Sequence, residues 1–121
     1  MYIIHYYRGD NMEELLSSLT TELKRGSLVL SVLSQLHEPE YGYSLLQKLE
    51  TKGLAIESGT LYPLLRRLEK QDLLKSQWDT TESRPRKFYV ISPMGSDVYQ
   101  KLKDEWQTMS KKISILIGEE S

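Results

Sequence analysis

The 121-residue sequence contains no cysteine, and this absence excludes several classes of site at once. Without thiols the chain has no disulfide, no cysteine nucleophile and no zinc knuckle. The two histidines, His5 and His37, lie far apart and have no carboxylate or histidine partners at metal-ligand spacing. Ser44 has no paired base, and the sequence has no glycine-rich phosphate loop. The sequence therefore predicts a protein that is not an enzyme and that uses neither a metal nor a cofactor.

Long apolar runs are also missing, and nothing approaches the roughly 18 consecutive apolar residues of a membrane-spanning helix. Residues 1–11 lack the basic start and the long apolar stretch of a signal peptide, so we interpret them as a flexible N-terminal arm. The length of the chain suits one compact domain. The absence of cysteine fits the reducing cytoplasm, and without a long apolar run we expect no membrane contact.

An overall excess of positive charge is missing too, because the formal net charge is −1. The distribution of charge is more informative than the sum. Residues 58–87 contain seven basic and four acidic side chains, a local net charge of +3 in a chain that is otherwise acidic. A local basic footprint of this kind is what contact with phosphates requires.

Apolar residues at helical spacing predict helices in the first half of the chain. The pattern begins at Met12, is interrupted near Gly26, and continues in a main first helix from about Ser27. Pro39 ends it, because the residue before a proline is disfavoured in the α conformation. A second helix is predicted over residues 41–52.

The third helix is predicted to begin near Ser58 or Gly59, or one or two residues later so that Pro63 falls within its first turn. Its inner face consists of four leucines, which are Leu61, Leu64, Leu65 and Leu68. Its outer face then presents small polar and basic side chains, which are those of Ser58, Gly59, Thr60, Tyr62, Arg66 and Arg67.

The periodicity changes after Leu73. Residues 74–79 and 87–92 are rich in β-branched and aromatic side chains and predict two strands, joined by a polar loop over residues 80–86. Ser92 and Pro93 then form a strong helix start, and the last helix is predicted to run to about Ile117.

Three helices, a β-hairpin and a final helix predict a mainly α protein of the winged helix-turn-helix class. We assign residues 12–92 to a DNA-binding domain, residues 93–118 to a dimerisation helix and residues 119–121 to a tail. In such a domain the third helix and the hairpin both approach DNA, and both are basic here. A winged helix that binds only another protein is the alternative, which the two basic elements disfavour.

Several motifs make the chain similar to the PadR family of transcriptional regulators. The third helix carries G-T-L-Y-P-L-L-R-R-L-E over residues 59–69, and the hairpin carries R-P-R-K-F-Y over residues 84–89. Shorter matches are L-K-R-G at residues 23–26, Y-G-Y-S-L at residues 41–45 and S-P-M-G at residues 92–95. The similarity extends over roughly residues 23–106.

The resemblance implies a cytoplasmic homodimer that binds an inverted-repeat DNA operator, usually as a repressor that a small effector releases. It assigns DNA contacts to the region before the first helix, the start of the second helix, the third helix and the wing. The residues concerned, together with Arg66 from the basic face of the third helix, are Arg25, Tyr41, Tyr43, Ser58, Thr60, Tyr62, Arg66, Arg84, Arg86 and Lys87.

The last helix carries an apolar stripe at spacings of four and three residues, which is close to a heptad pattern. We interpret it as the dimerisation surface, and the alternative is a helix buried in its own domain. The stripe consists of Val98, Leu102, Trp106, Met109, Ile113 and Leu116. Within it, Trp106 and Met109 are candidates for binding a planar aromatic effector, although an aromatic residue at helical spacing is more often part of a core.

Overall fold

The computed structural model describes residues 10–119, excluding the side chain of residue 10. These residues form five helices and three strands, which are α1 (Asp10–Arg25), α2 (Leu28–Ser34), β1 (Glu40–Tyr41), α3 (Gly42–Thr51), α4 (Ser58–Lys70), β2 (Leu74–Asp79), β3 (Arg86–Ile91) and α5 (Pro93–Leu116). The predicted order of elements is confirmed, with β1 as an addition. No helix among the described residues is long and apolar enough to cross a membrane.

Helix α1 begins at Asp10, two residues before the predicted start. Residues 10 and 11 are therefore helical and do not belong to a flexible arm, while residues 1–9 lie outside the described part of the chain. The predicted break at Gly26 is confirmed, because a turn separates α1 from α2 and the Ser27 amide donates to the Lys24 carbonyl at 3.2 Å.

The core lies between α2, α3 and α4 and consists mainly of leucine. The four leucines predicted for the inner face of α4 are at most 8% exposed, and they meet Val32, Leu33, Leu45 and Leu49 of the preceding helices. Burying one such side chain stabilises the fold by about 1.5–3 kcal/mol. This core holds α4 from behind and leaves its opposite face open.

The beginning of α4 differs from the prediction in one respect. Ser58 is the first helical residue rather than the cap, and the Glu57 carbonyl accepts from the amides of Thr60 and Leu61 at 2.9 and 3.0 Å. Pro63 therefore lies inside the helix, beyond the first turn. The helix gives up the bond that residue 63 would donate to the carbonyl of Gly59, an exposed residue.

The three strands form one antiparallel sheet in the order β1-β3-β2. Strand β1 was not predicted; it follows Pro39 and pairs Tyr41 with Phe88. Because successive side chains of a strand point to opposite faces, β3 divides into two sets. Lys87, Tyr89 and Ile91 face the core, and Arg86 and Phe88 face outward with Tyr41.

Helix α5 begins as predicted. The Ser92 hydroxyl accepts from the Gly95 amide at 2.9 Å and donates to the Asp72 carbonyl at 2.7 Å, which ties the helix start to the end of α4. The first turns of α5 pack on the domain, where Tyr99 meets His37 edge to face at 5.0 Å. The helix ends at Leu116, one residue before the predicted end.

Candidate nucleic-acid interface

The outward face of α4 is the centre of the candidate interface. Its N-terminal turn presents Ser58, Gly59 and Thr60, all exposed, and the backbone amides of Ser58 and Gly59 have no acceptor within the helix. Further along, Arg66, Arg67 and Lys70 are also exposed. Within residues 10–119 these three cations form no ion pair, so their charges remain available to a phosphate backbone.

Tyr62 differs from its predicted neighbours on this face because its ring is half-buried. The ring lies against Gly42 at the start of α3, where a Cβ atom would overlap Cε1 of Tyr62. A larger residue at position 42 would therefore have to displace the Tyr62 ring. The tyrosine packs α4 against α3, so only part of it faces outward.

The two tyrosines at the start of α3 lie in different surroundings. Tyr43 is 64% exposed, and its hydroxyl accepts from the Gln47 side chain at 3.2 Å. Tyr41 is half-buried, precedes the helix in β1, and donates its hydroxyl to the carboxylate of Asp79 in β2. Tyr43 is open to a ligand, whereas Tyr41 connects α3 to the hairpin.

The hairpin of β2 and β3, which we call the wing, presents two cations at its outer face and tip. Arg84 is exposed in the connecting loop and forms no ion pair among the described residues. The Arg86 guanidinium lies over the Tyr41 ring, with Cζ 4.1 Å from the ring centroid. Its ion pair with Glu82 is long, at 3.8 Å, and exposed, so it is weak.

Lys87 points the other way, to the inner face of the wing. Its ammonium lies 3.2 Å from a carboxylate oxygen of Glu69, near the end of α4, and close to the rings of Trp78 and Tyr89. The Ser76 hydroxyl of β2 also donates to Glu69. This hydroxyl, followed by the Lys87 ammonium, holds the pKa of Glu69 below its ordinary value. The charge of Lys87 is thus already matched within the protein.

Arg25 ends α1 and lines an open groove of about 710 Å³ between α1, α2 and α4. Lys24 and Arg67 lie beside it on the rim, together with Thr60 and one carboxylate, Glu57. The structure therefore places Arg25 next to the N-terminal half of α4. The wing contacts α4 near its C-terminal end, through Glu69, so α4 adjoins both the end of α1 and the wing.

The two predicted effector residues lie about one turn apart on α5 and differ in their surroundings. Trp106 is 46% exposed and lines a crevice of about 360 Å³ between α2 and α5, together with Tyr99 and Lys103. Met109 is 53% exposed and does not line this crevice. Neither residue is part of the core of its own domain. Among the described residues, no cluster of histidine and carboxylate side chains could hold a metal ion.

Sequence reasoning missed the carboxylates that organise the wing, Asp79 and Glu69. Both were counted only as charges that oppose the basic residues. The available signal was the register of the hairpin, because pairing Asp79 with Arg86 follows once the two strands are aligned. That register depends on the length and conformation of the loop between β2 and β3, so the strand pattern alone does not predict it.

Comparison with known proteins agrees with this geometry. The model of the transcriptional regulator PadR-like family matches residues 29–101, which span α2 to the first turns of α5. The chain belongs to the PadR-like family of transcriptional regulators. The predicted family and the winged helix fold are confirmed, and a regulator of this family binds DNA and is not an enzyme.

Individual relatives cover most of the chain. A PadR family transcriptional regulator from Eggerthella lenta is 43% identical, with a TM-score of 0.87 over 91% of this chain and 98% of that one. A PadR-like transcriptional regulator from Bacillus cereus is 28% identical, with a TM-score of 0.72 over 82% and 99% of the two chains. The transcriptional regulator Rv3488 of Mycobacterium tuberculosis is 36% identical over 75 residues, which are 61% of this chain and 70% of that protein.

Proposed function

We propose that this PadR-like regulator is a cytoplasmic, nucleoid-associated repressor that binds an inverted-repeat operator as a homodimer. One observation carries the DNA-binding part: unpaired cations lie on two adjoining elements, α4 and the wing. The proposed contacts are the DNA-binding residues predicted from the sequence; among them Arg25, Arg66 and Arg84 are exposed and form no ion pair within the described residues. The family resemblance supports the repressor role.

The homodimer is supported by two apolar stripes that the described chain leaves open. On α1, five apolar side chains are 36–79% exposed; they are Met12, Leu15, Leu16, Leu19 and Leu23. On α5, Val98 and Leu102 pack partly on their own domain, but Trp106, Met109, Ile113 and Leu116 are 46–82% exposed. Each stripe extends over about 15–17 Å of helix. In a two-fold dimer, α1 of one protomer covers α5 of the other, and both stripes leave water.

The effector part of the proposal rests on Trp106. An indole beside a crevice, next to an exposed stripe, gives a planar aromatic molecule a stacking surface that is completed in the dimer. The ligand class is therefore a small planar aromatic molecule. When this molecule binds beside Trp106, it changes how the two protomers are oriented relative to each other, and the operator is released.

The DNA-binding proposal is tested by a mobility-shift titration with the DNA upstream of the regulator's own gene. We expect the logarithm of the binding constant to fall steeply with the logarithm of salt concentration, because several phosphates are neutralised. Arg84→Ala weakens binding to operator and random DNA alike and lowers the salt slope by about one unit. Lys101→Ala, which removes the same charge from an exposed site on α5, serves as the control. Absent or salt-independent binding over a range of promoters would favour the protein-interaction alternative.

The effector proposal is tested by tryptophan fluorescence. The chain has two tryptophans, so the Trp78→Phe variant reports from Trp106 alone. We expect planar aromatic dyes to quench this emission and to release bound operator over the same concentration range. Trp106→Phe in the native background is the matched variant and loses the effect. Dyes that leave the Trp106 emission unchanged would contradict this site.

A further inference from the structure

Three side chains on the outer face of the sheet form one connected group, which we call the wing latch: Tyr41, Asp79 and Arg86. Asp79 and Arg86 are cross-strand partners at the end of the wing, and Tyr41 lies one strand further, opposite Phe88. The three residues come from three different strands. Their contacts therefore fix the tip of the wing relative to β1 and to the helix α3 that follows it.

Asp79 is the member that fixes the geometry. One carboxylate oxygen accepts from the Tyr41 hydroxyl, and the other accepts from the amide and the hydroxyl of Thr81 at 3.0 and 2.7 Å. Both oxygens therefore accept hydrogen bonds. The carboxylate orients the tyrosine and the first residues of the wing loop, and it forms no ion pair with Arg86 within the described residues.

Arg86 is held by stacking. With Cζ 4.1 Å from the Tyr41 centroid, the guanidinium rests on the ring face, and the Phe88 ring meets the same tyrosine edge to face at 5.9 Å. A guanidinium stacked in this way keeps most of its N–H donors free at its edge, because its ion pair with Glu82 is long, at 3.8 Å, and not bidentate. The arginine is thus restricted in direction and still able to bind an anion.

We propose that Asp79 is a positioning residue of the DNA-binding surface: it fixes the Tyr41 ring, and the ring directs Arg86 towards a DNA phosphate. This inference rests on the proposed DNA contact of the wing. It assigns a favourable role to a negative charge that lies beside a polyanion. Without the carboxylate, the Tyr41 hydroxyl loses its acceptor and Arg86 loses its fixed platform.

Simple electrostatics and the wing latch predict opposite results for Asp79→Ala. If Asp79 only repels phosphate, its removal tightens DNA binding. If it positions Arg86, its removal weakens operator binding by about threefold to tenfold, the size expected for one lost hydrogen bond of average strength. Tyr41→Phe, which keeps the ring and changes no charge, is expected to weaken binding in the same direction.

The experiment measures operator affinity of the full chain across a range of salt concentrations. Asp79→Ala and Tyr41→Phe are expected to lower the salt slope towards that of Arg86→Ala, and neither weakens binding further when combined with Arg86→Ala. Asp79→Asn, which retains one acceptor oxygen, restores part of the affinity. The matched control is Asp104→Ala, which removes a carboxylate from an exposed site on α5, and thermal unfolding confirms that each variant is folded.

Two outcomes would overturn the wing latch while DNA binding itself persists. One is an Asp79→Ala variant that binds the operator as tightly as the unaltered protein or more tightly. The other is an Asp79→Ala substitution that lowers operator affinity equally in the native protein and in the Arg86→Ala variant. This result would mean that Asp79 does not act through Arg86. An unaltered protein that binds no DNA would instead contradict the proposed function and, with it, this role of Asp79.

Discussion

Asp79 keeps its negative charge beside the basic residues of the wing, and the groups around it explain why. The Tyr41 hydroxyl, followed by the hydroxyl and amide of Thr81, donates to the carboxylate and lowers the pKa of Asp79 to about 2. The same hydrogen bond raises the pKa of the Tyr41 hydroxyl, because the ionised tyrosine could no longer donate. The pair therefore persists over the whole range from weakly acidic to alkaline solution.

The lowered pKa of Asp79 predicts how stability changes in acid. A carboxyl group whose pKa is lower in the folded state stabilises the fold above its ordinary pKa of 3.8, and this contribution is lost as the pH falls towards 2. The native protein should therefore be more stable than Asp79→Asn at pH 5, and the difference should shrink between pH 4 and pH 2. Urea unfolding of both proteins at each pH measures it.

The control for this comparison is Asp104→Asn, which removes a carboxylate from the exposed surface of α5. It gives the change in stability that follows from altered net charge alone. A stability difference between the native protein and Asp79→Asn that stays constant from pH 5 to pH 2 would contradict the explanation through Tyr41 and Thr81.

Among the elements, α5 is joined to the domain at its first turn. The Ser92 amide donates to the Leu73 carbonyl at 3.0 Å, and Gly95 passes directly over the same carbonyl. A Cβ atom at residue 95 would overlap the Leu73 oxygen and lie 2.9 Å from Cγ1 of Ile91. The direction in which α5 leaves the domain is thus fixed by contact with backbone, which cannot yield as a side chain can.

Gly95→Ala is therefore expected to lower the free energy of unfolding by about 1–3 kcal/mol, the usual cost of overpacking. Urea denaturation checks it. The matched control is Gly59→Ala, also in the first turn of a helix but with open space around the added methyl group, so it should be neutral or slightly stabilising. Equal stability of the two variants would show that α5 can shift to accept the methyl group.

Helices and strands could be predicted where the residues that determine them are close together in the sequence. The leucines of α4 and the Ser92-Pro93 start of α5 lie next to the residues they organise, and both predictions are confirmed.

Strand β1 has only two residues, and its hydrogen-bonding partner, β3, lies more than forty positions along the chain. The role of Asp79 could not be predicted for the same reason, because its hydrogen-bonding partner Tyr41 is 38 residues away in the sequence. Tyr62 was placed outside because α4 periodicity does not reveal the approach of Gly42.

At the scale of the whole molecule, the exposed stripes of α1 and α5 predict the oligomeric state. Ile113→Glu places a charge in the middle of the proposed interface, where each copy would be buried without a partner. We expect dimerisation to weaken by about 100-fold or more and operator affinity to fall with it. Analytical ultracentrifugation at micromolar concentration measures the first effect.

The control for the dimer prediction is Lys111→Glu, an exposed position on the opposite face of α5. It changes the charge of the same helix without entering the stripe. Leu16→Glu on α1 should have the same effect as Ile113→Glu, because the two stripes are proposed to cover each other. An Ile113→Glu protein that sediments as a dimer would contradict the proposal that the apolar stripe of α5 forms the dimer interface.

Strand β1 gives the DNA-binding unit a mechanical property. Because the residues that lead into α3 are hydrogen-bonded to β3, and Glu69 of α4 is bonded to β2 and β3, the wing cannot swing without moving both helices. In the proposed dimer each protomer would therefore present α4 and the wing to DNA as one connected unit. We expect a regulatory signal to change the distance and the angle between the two DNA-binding units of the dimer. It would then change the half-site spacing that the regulator accepts, and the bases preferred within each half-site would stay the same.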